Sequence, residues 1–198
     1  MNLQHIAVKI FARPPCQVDP ASLIPVFHGW IQRKVMEGML LVDVADYAHV
    51  PEGPGVLLLG REGYFGFGSD YGGAGLIYAN KRSATGTTQD RLHQSLHRAL
   101  TAAKLLADEP TVAGKLRFDP GQLLIAVDDR LEAPNTADSF AALKGDIEKV
   151  LTDLYDASDA ALEQVENPKS ALRVKATITT DTDLPTLAQR TIAQSPIA

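Results

Sequence analysis

Between Met39 and Asn80 the chain leaves no room for a helix. Four short apolar runs, Met39–Ala45, Val56–Gly60, Tyr64–Phe67 and Leu76–Ala79, are separated by turns rich in proline and glycine. Pro51-Glu52-Gly53-Pro54-Gly55 excludes any regular element at its position, and Ser69-Asp70-Tyr71-Gly72-Gly73-Ala74-Gly75 reads as a glycine-rich turn. Parallel neighbours need a crossover of about a dozen residues or more, usually a helix. Strands this close in sequence therefore run as antiparallel hairpins, and this segment sets the fold class.

The flanking segments supply helices and further strands. Leu3–Ala12 alternates, with Ile6, Val8, Ile10 and Ala12 on one face and His5, Ala7, Lys9 and Phe11 on the other. Leu23, Ile24, Phe27, Trp30, Ile31 and Val35 recur at helical spacing behind a cap at Asp19 or Ser22, and this helix is expected to end near Gly38. A longer helix opens at Thr85–Thr88 and runs to about Ala107, burying Leu92, Leu96, Ala99, Leu100, Ala103 and Leu106. Lys115–Phe118 and Gln122–Asp128 read as two strands joined by a hairpin at Asp119-Pro120-Gly121. A third helix, capped by Asn135 or Thr136, carries Phe140, Leu143, Ile147, Val150, Leu151 and Leu154 on one face. Ala161–Val165 reads as a short strand and Leu172–Thr179 as a half-exposed one; Leu184–Ala193 is a short last helix. The expected fold is α+β, a mostly antiparallel sheet built from hairpins with three main helices packed on one face. Residues 1–193 are expected to form a single globular domain, and residues 194–198 a frayed C-terminal tail.

Composition narrows the function classes. Of the 198 residues 45% are hydrophobic, enough for a core without disulfides or a structural metal. A net charge of −5 argues against nucleic-acid binding, which usually shows a basic stripe. The single cysteine, Cys16, permits no intrachain disulfide and favours a reducing cytoplasm. The N-terminal residues lack the basic and apolar regions of a signal peptide, and the apolar runs fall far short of the ~20 residues that span a bilayer. The expectation is a cytoplasmic protein with no membrane partner.

Three stretches carry side chains suited to chemistry. Asp43, Asp46 and His49 lie within seven residues, beside a loop stiffened by Pro51 and Pro54. A general base needs a carboxylate or imidazole held on a stiff frame. Arg61 and Glu62 follow the next strand and would flank the same sheet edge if the two strands pair. Lys81 and Arg82, with Thr87 and Thr88, precede the longest helix, where backbone N–H groups attract a small anion. His93 and His97 share a helix face at i, i+4, but the intervening Gln-Ser-Leu does not match the zinc-protease pattern, so no metal site is expected and both are read as solvated. The glycines at 72, 73 and 75 precede a strand and do not form a dinucleotide fingerprint, and neither a Walker A loop nor a nucleophile elbow is present.

With no catalytic signature and no cofactor implied, the first expectation is action by self-assembly or partner binding, with a homodimer the commonest solution. The alternative is a small-molecule binder or enzyme with an acidic and histidine pocket around residues 43–62 and an anion site at the 81–88 helix N-terminus. These two stretches serve one site only if they meet.

Overall fold

A computed structural model describes residues 3–81, 85–156, 160–167 and 170–194. The first strand is the middle of everything that follows. β1 (Ile6–Ala12) pairs antiparallel with β5 (Gly75–Asn80) on one side and with β6 (Phe118–Val127) on the other. Beyond β5 the meander runs outward through β4 (Gly63–Gly68) and β3 (Gly55–Gly60) to β2 (Leu41–Tyr47). Beyond β6 lie β8 (Arg173–Thr177) and β7 (Ala161–Gln164). The result is one eight-stranded antiparallel sheet in the order β2-β3-β4-β5-β1-β6-β8-β7, and the fold is α+β.

Among the described residues four helices connect and close it: α1 (Ile24–Arg33), α2 (Thr88–Ala107), α3 (Ala137–Tyr155) and α4 (Leu184–Gln194). Their buried residues, among them Trp30, Leu96, Ile147 and Leu187, join one core with Ile6, Val8 and Ile10 of β1 and Val56, Leu58, Phe65 and Leu123 of its neighbours. A second, smaller cluster on the opposite face contains Ala7, Ile77, Ala79, Leu124 and Ala126, and no helical residue belongs to it. The alternation in β1 thus separates a helix-covered face from a helix-free one.

Local chemistry fixes the ends of the elements. Asp19 accepts from the Ala21 N–H and opens a short 3-10 turn at Pro20–Leu23, which leads into α1. α1 stops earlier than expected, at Arg33, because Lys34 turns left-handed with φ 51°. Thr87 and Asp90 make a reciprocal capping box at the start of α2, and Thr136 caps α3 through Ser139 N–H. Trp30 Nε1 and Arg33 both donate to Glu109 Oε1, at 2.7 and 2.9 Å, tying α1 to the end of α2.

Asp119-Pro120-Gly121 departs from its expected role. The chain does not reverse there, and Phe118–Val127 is one continuous strand. Asp119 Oδ1 takes the Gly121 N–H at 3.1 Å, and the register against β1 shifts between Ile10 and Ala12. The local turn is absorbed as a bulge that bends the strand. Of the expected strand Lys115–Phe118 only Phe118 is strand, and Lys115–Arg117 is loop, with Lys115 O accepting from Gln17 N–H. Of the expected frayed tail, Gln194 ends α4, and residues 195–198 lie outside the described residues. Among the described residues no helix is long and apolar enough to cross a membrane.

His93 and His97 are half-buried rather than solvated, because α2 buries most of its circumference. His97 Nδ1 lies 2.8 Å from Thr191 Oγ1 of α4. The Thr191 hydroxyl proton is already given to Ala188 O, so Thr191 accepts and His97 Nδ1 carries the proton. His93 Nδ1 is buried without a hydrogen-bond partner. Burial lowers the pKa of both imidazoles, against opposing pulls from Asp153 and Asp90 at His93 and with a reinforcing one from Arg98 at His97. The unfolded chain therefore binds protons first as pH falls. Stability should be full above the ordinary histidine value of about 6.5 and decline below it. Urea unfolding at successive pH values across that point measures the slope, and a His93→Gln, His97→Gln double variant should flatten it.

Candidate functional site

The pairing registers place side chains on the helix-free face in rows. Leu57, Gly66, Ile77, Lys9, Leu124, Lys175 and Glu163 follow one another across seven strands. The next row reads Asp43, Leu59, Tyr64, Ala79, Ala7, Ala126 and Arg173. A Cβ at Gly66 would sit 2.8 Å from Leu57 Cδ2, so only glycine lets the flanking side chains close over that position. Gly75 does the same for the lysine stem, since a Cβ there would lie 3.0 Å from Lys9 Cε.

Lys9 has 0% exposure in the centre of this face. An ammonium without water must find a partner for each proton. Lys9 Nζ donates to Gly68 O at 3.1 Å, to Asp70 Oδ1 at 2.7 Å and to Asp70 O. All three acceptors lie at the end of β4 or in the turn after it. Burial lowers the pKa of Lys9, and the Asp70 carboxylate opposes that shift. Asp70 N–H in turn reaches Gly53 O at 3.2 Å, joining this turn to the one between β2 and β3.

The pinned turn brings Tyr71 back over the sheet. Tyr71 takes a left-handed φ of 60°, unusual for a residue with a side chain and held here by the Lys9 bonds beside it. Its ring packs against the small cluster with Phe11, Tyr64 and Val165. Lys9 Nζ stands 5.9 Å from the ring centroid and the Arg173 guanidinium 4.4 Å from it. Lys81 Nζ lies 5.5 Å from the Tyr64 centroid. Burial and the nearby Asp128 and Asp70 carboxylates push the Tyr64 phenol up to about 12, and burial, Asp128, Tyr64 and Asp70 raise Tyr71 as well. Asp128 reaches solvent, yet the protein packed around its carboxyl raises its pKa, with Asp70 adding to the shift and Arg173 and His5 opposing it. A shallow depression of about 390 Å³ lies beside Tyr71, lined also by Glu52, Ser69, Gly72 and Gly73.

The chemistry open to this arrangement is recognition. The Lys9 amine has its protons committed and no lone pair free for attack. The phenols stay protonated at neutral pH and serve as donors. Among the described residues no group of three or more histidine, cysteine, aspartate or glutamate side chains is placed to hold a metal ion.

The residues singled out by sequence are spread along the sheet. Asp43 faces the helix-free side at the exposed edge and caps the Val44 N–H at 2.8 Å. Asp46 is on the other face and accepts from Ala48 N–H at 2.8 Å. His49 stacks on Tyr47 in the β2–β3 turn, with centroids 6.5 Å apart. Arg61 and Glu62 form the β3–β4 turn, Nε to Oε1 3.9 Å, at the far end of β3. A six-residue strand is roughly 20 Å long, so His49 and Glu62 are not brought together. Lys81 does meet that second turn, its N–H bonding Glu62 O at 2.9 Å. Arg82 lies outside the described residues. Thr87 gives both its N–H and its hydroxyl to Asp90 Oδ2, so the chain's own carboxylate sits at the start of α2, beside Thr88.

Sequence reasoning passed over Lys9 and Asp128 as site residues. The available signal was Lys9 itself, a charge inside an otherwise apolar seven-residue strand. No protein-family model matches the chain, and neither the curated proteins nor the solved structures contain a match.

Removing one partner of a buried, hydrogen-bonded charge pair typically costs ~3–5 kcal/mol, and a replacement that keeps the volume of the lost side chain spares the cavity part of that cost. Lys9→Ala should therefore lower unfolding free energy by about that amount, and Lys9→Met by less, although it leaves Asp70 unpaired. Urea denaturation of the two variants measures the difference, and equal losses would show that the broken pair, not the packing of the lysine stem, sets the cost.

Proposed function

We propose that the protein acts by self-association along the outer strand β2, rather than by catalysis. One observation carries this reading. Of the five exposed large hydrophobic residues among those described, Leu40, Val42, Tyr47 and Val50 all lie on β2 or its immediate flanks. Leu40 and Val42 are 58% and 56% exposed, far more than an aliphatic side chain on a sheet normally shows.

β2 also ends the sheet, so its outer backbone edge has no neighbouring strand. That edge is guarded, because Asp43 occupies the Val44 N–H and the register against β3 shifts between Leu41 and Asp43. Such devices oppose open-ended strand addition. They favour side-chain contact that closes on itself, and a two-fold pair uses the same patch on both copies. A cytoplasmic setting fits the lone, free Cys16.

The small-molecule alternative built on residues 43–62 and 81–88 has less support. Asp46 and His49 stand a strand's length from Arg61, Glu62 and Lys81, and Asp90 already serves the α2 N-terminus.

Sedimentation velocity over a concentration series tests the proposal. A dimer is expected at micromolar concentration, and Val42→Lys should shift the equilibrium to monomer by about tenfold or more without changing the unfolding curve of the dilute protein. A 21.3 kDa species that does not change with concentration would sink the idea.

A further inference from the structure

Arg173 is half-buried on the helix-free face and lies over the Tyr71 ring at 4.4 Å. A stacked guanidinium satisfies its plane but leaves its N–H donors pointing outward around the rim. Among the described residues Arg173 makes no ion pair or side-chain hydrogen bond, although Asp128 lies just past the end of the adjacent strand, two residues beyond Ala126, which pairs with Arg173. The Tyr64 and Tyr71 hydroxyls likewise have no hydrogen-bond partner among the described residues. Tyr64, Tyr71, Phe11 and Val165 pack against one small cluster and Arg173 lies over Tyr71, which brings these groups into one neighbourhood.

The structure assigns this neighbourhood, we propose, to a small aromatic monocarboxylate, held by the fork of Arg173 and the hydroxyl of Tyr71. Three features select that class. A planar carboxylate matches the guanidinium fork with two parallel hydrogen bonds. The surroundings are apolar and aromatic, with Phe11 and Val165 packed about the tyrosines, so a flat ring finds stacking partners. The charge is right for a monoanion. Arg173 is the cation whose donors are open, and Asp128 would repel a second negative charge on the ligand. This site is separate from β2 and does not depend on self-association.

Calorimetric titration of the full chain with benzoate tests the assignment, with benzyl alcohol and inorganic phosphate as comparison probes. Saturable binding of benzoate, one molecule per chain, is expected. Arg173→Gln should weaken it about tenfold or more, and Tyr71→Phe, which keeps the ring and removes only the hydroxyl, several-fold. Lys175→Gln, two residues along the same strand and exposed, should leave it unchanged. Absence of saturable benzoate binding would overturn the proposal. So would equal binding by the Arg173→Gln protein, equal binding of benzyl alcohol, or phosphate binding as tight as benzoate.

Discussion

An ammonium group without access to water sits in the central strand of the sheet, and the layout of the helix-free face depends on how it is satisfied. Lys9 binds two backbone carbonyls and one carboxylate, all from Gly68 and Asp70. In a medium of low dielectric such a group is tolerable only with its partners fixed. The consequence is directional. The turn after β4 cannot swing outward without stranding a charge, so Tyr71 lies over the sheet and supplies the ring on which Arg173 rests. The same turn reaches Gly53, so the end of the β2–β3 hairpin is held as well.

The two faces of the sheet solve the burial problem differently. One face is covered by four helices in a large core that includes Trp30, Leu96, Ile147 and Leu187. The other face buries five small or aliphatic residues, and the groups packed against them are aromatic and aliphatic side chains of the sheet and its turns. Tyrosine and arginine suit that position, because each offers a broad apolar surface with a polar end that stays available. A helix laid there would have sealed the surface. Among the described residues no helix lies there, and charged and hydrogen-bonding groups remain on that face of the sheet.

Much of the fold was legible because hairpins and amphipathic helices are local. Thr87 and Thr136 cap helices, and the alternation Ile6, Val8, Ile10 marks a core face, without reference to distant residues. Asp119-Pro120-Gly121 misled for a physical reason. The Asx-type bond to Gly121 is the same in a reversing turn and in a bulge, and only the pairing of both flanks with β1 decides between them. The site was harder to read. Asp43, Asp46, His49 and Glu62 lie within one hairpin of sequence but are divided between the two ends and two faces of β2 and β3. Lys9, Asp70 and Arg173 are far apart in sequence and adjacent in space.

The amino-acid sequence by itself determined the antiparallel class, the helices and their caps, and which side of β1 faces the core, because those depend on periodicity and on residues within a few positions of one another. Tertiary structure alone decided the strand order, with β1 between β5 and β6, and the gathering of Lys9, Asp70, Tyr71, Asp128 and Arg173 on one face. Strand order is set by long-range burial, which no local pattern encodes. The gathering follows from that order, because neighbouring strands bring together residues separated by most of the chain.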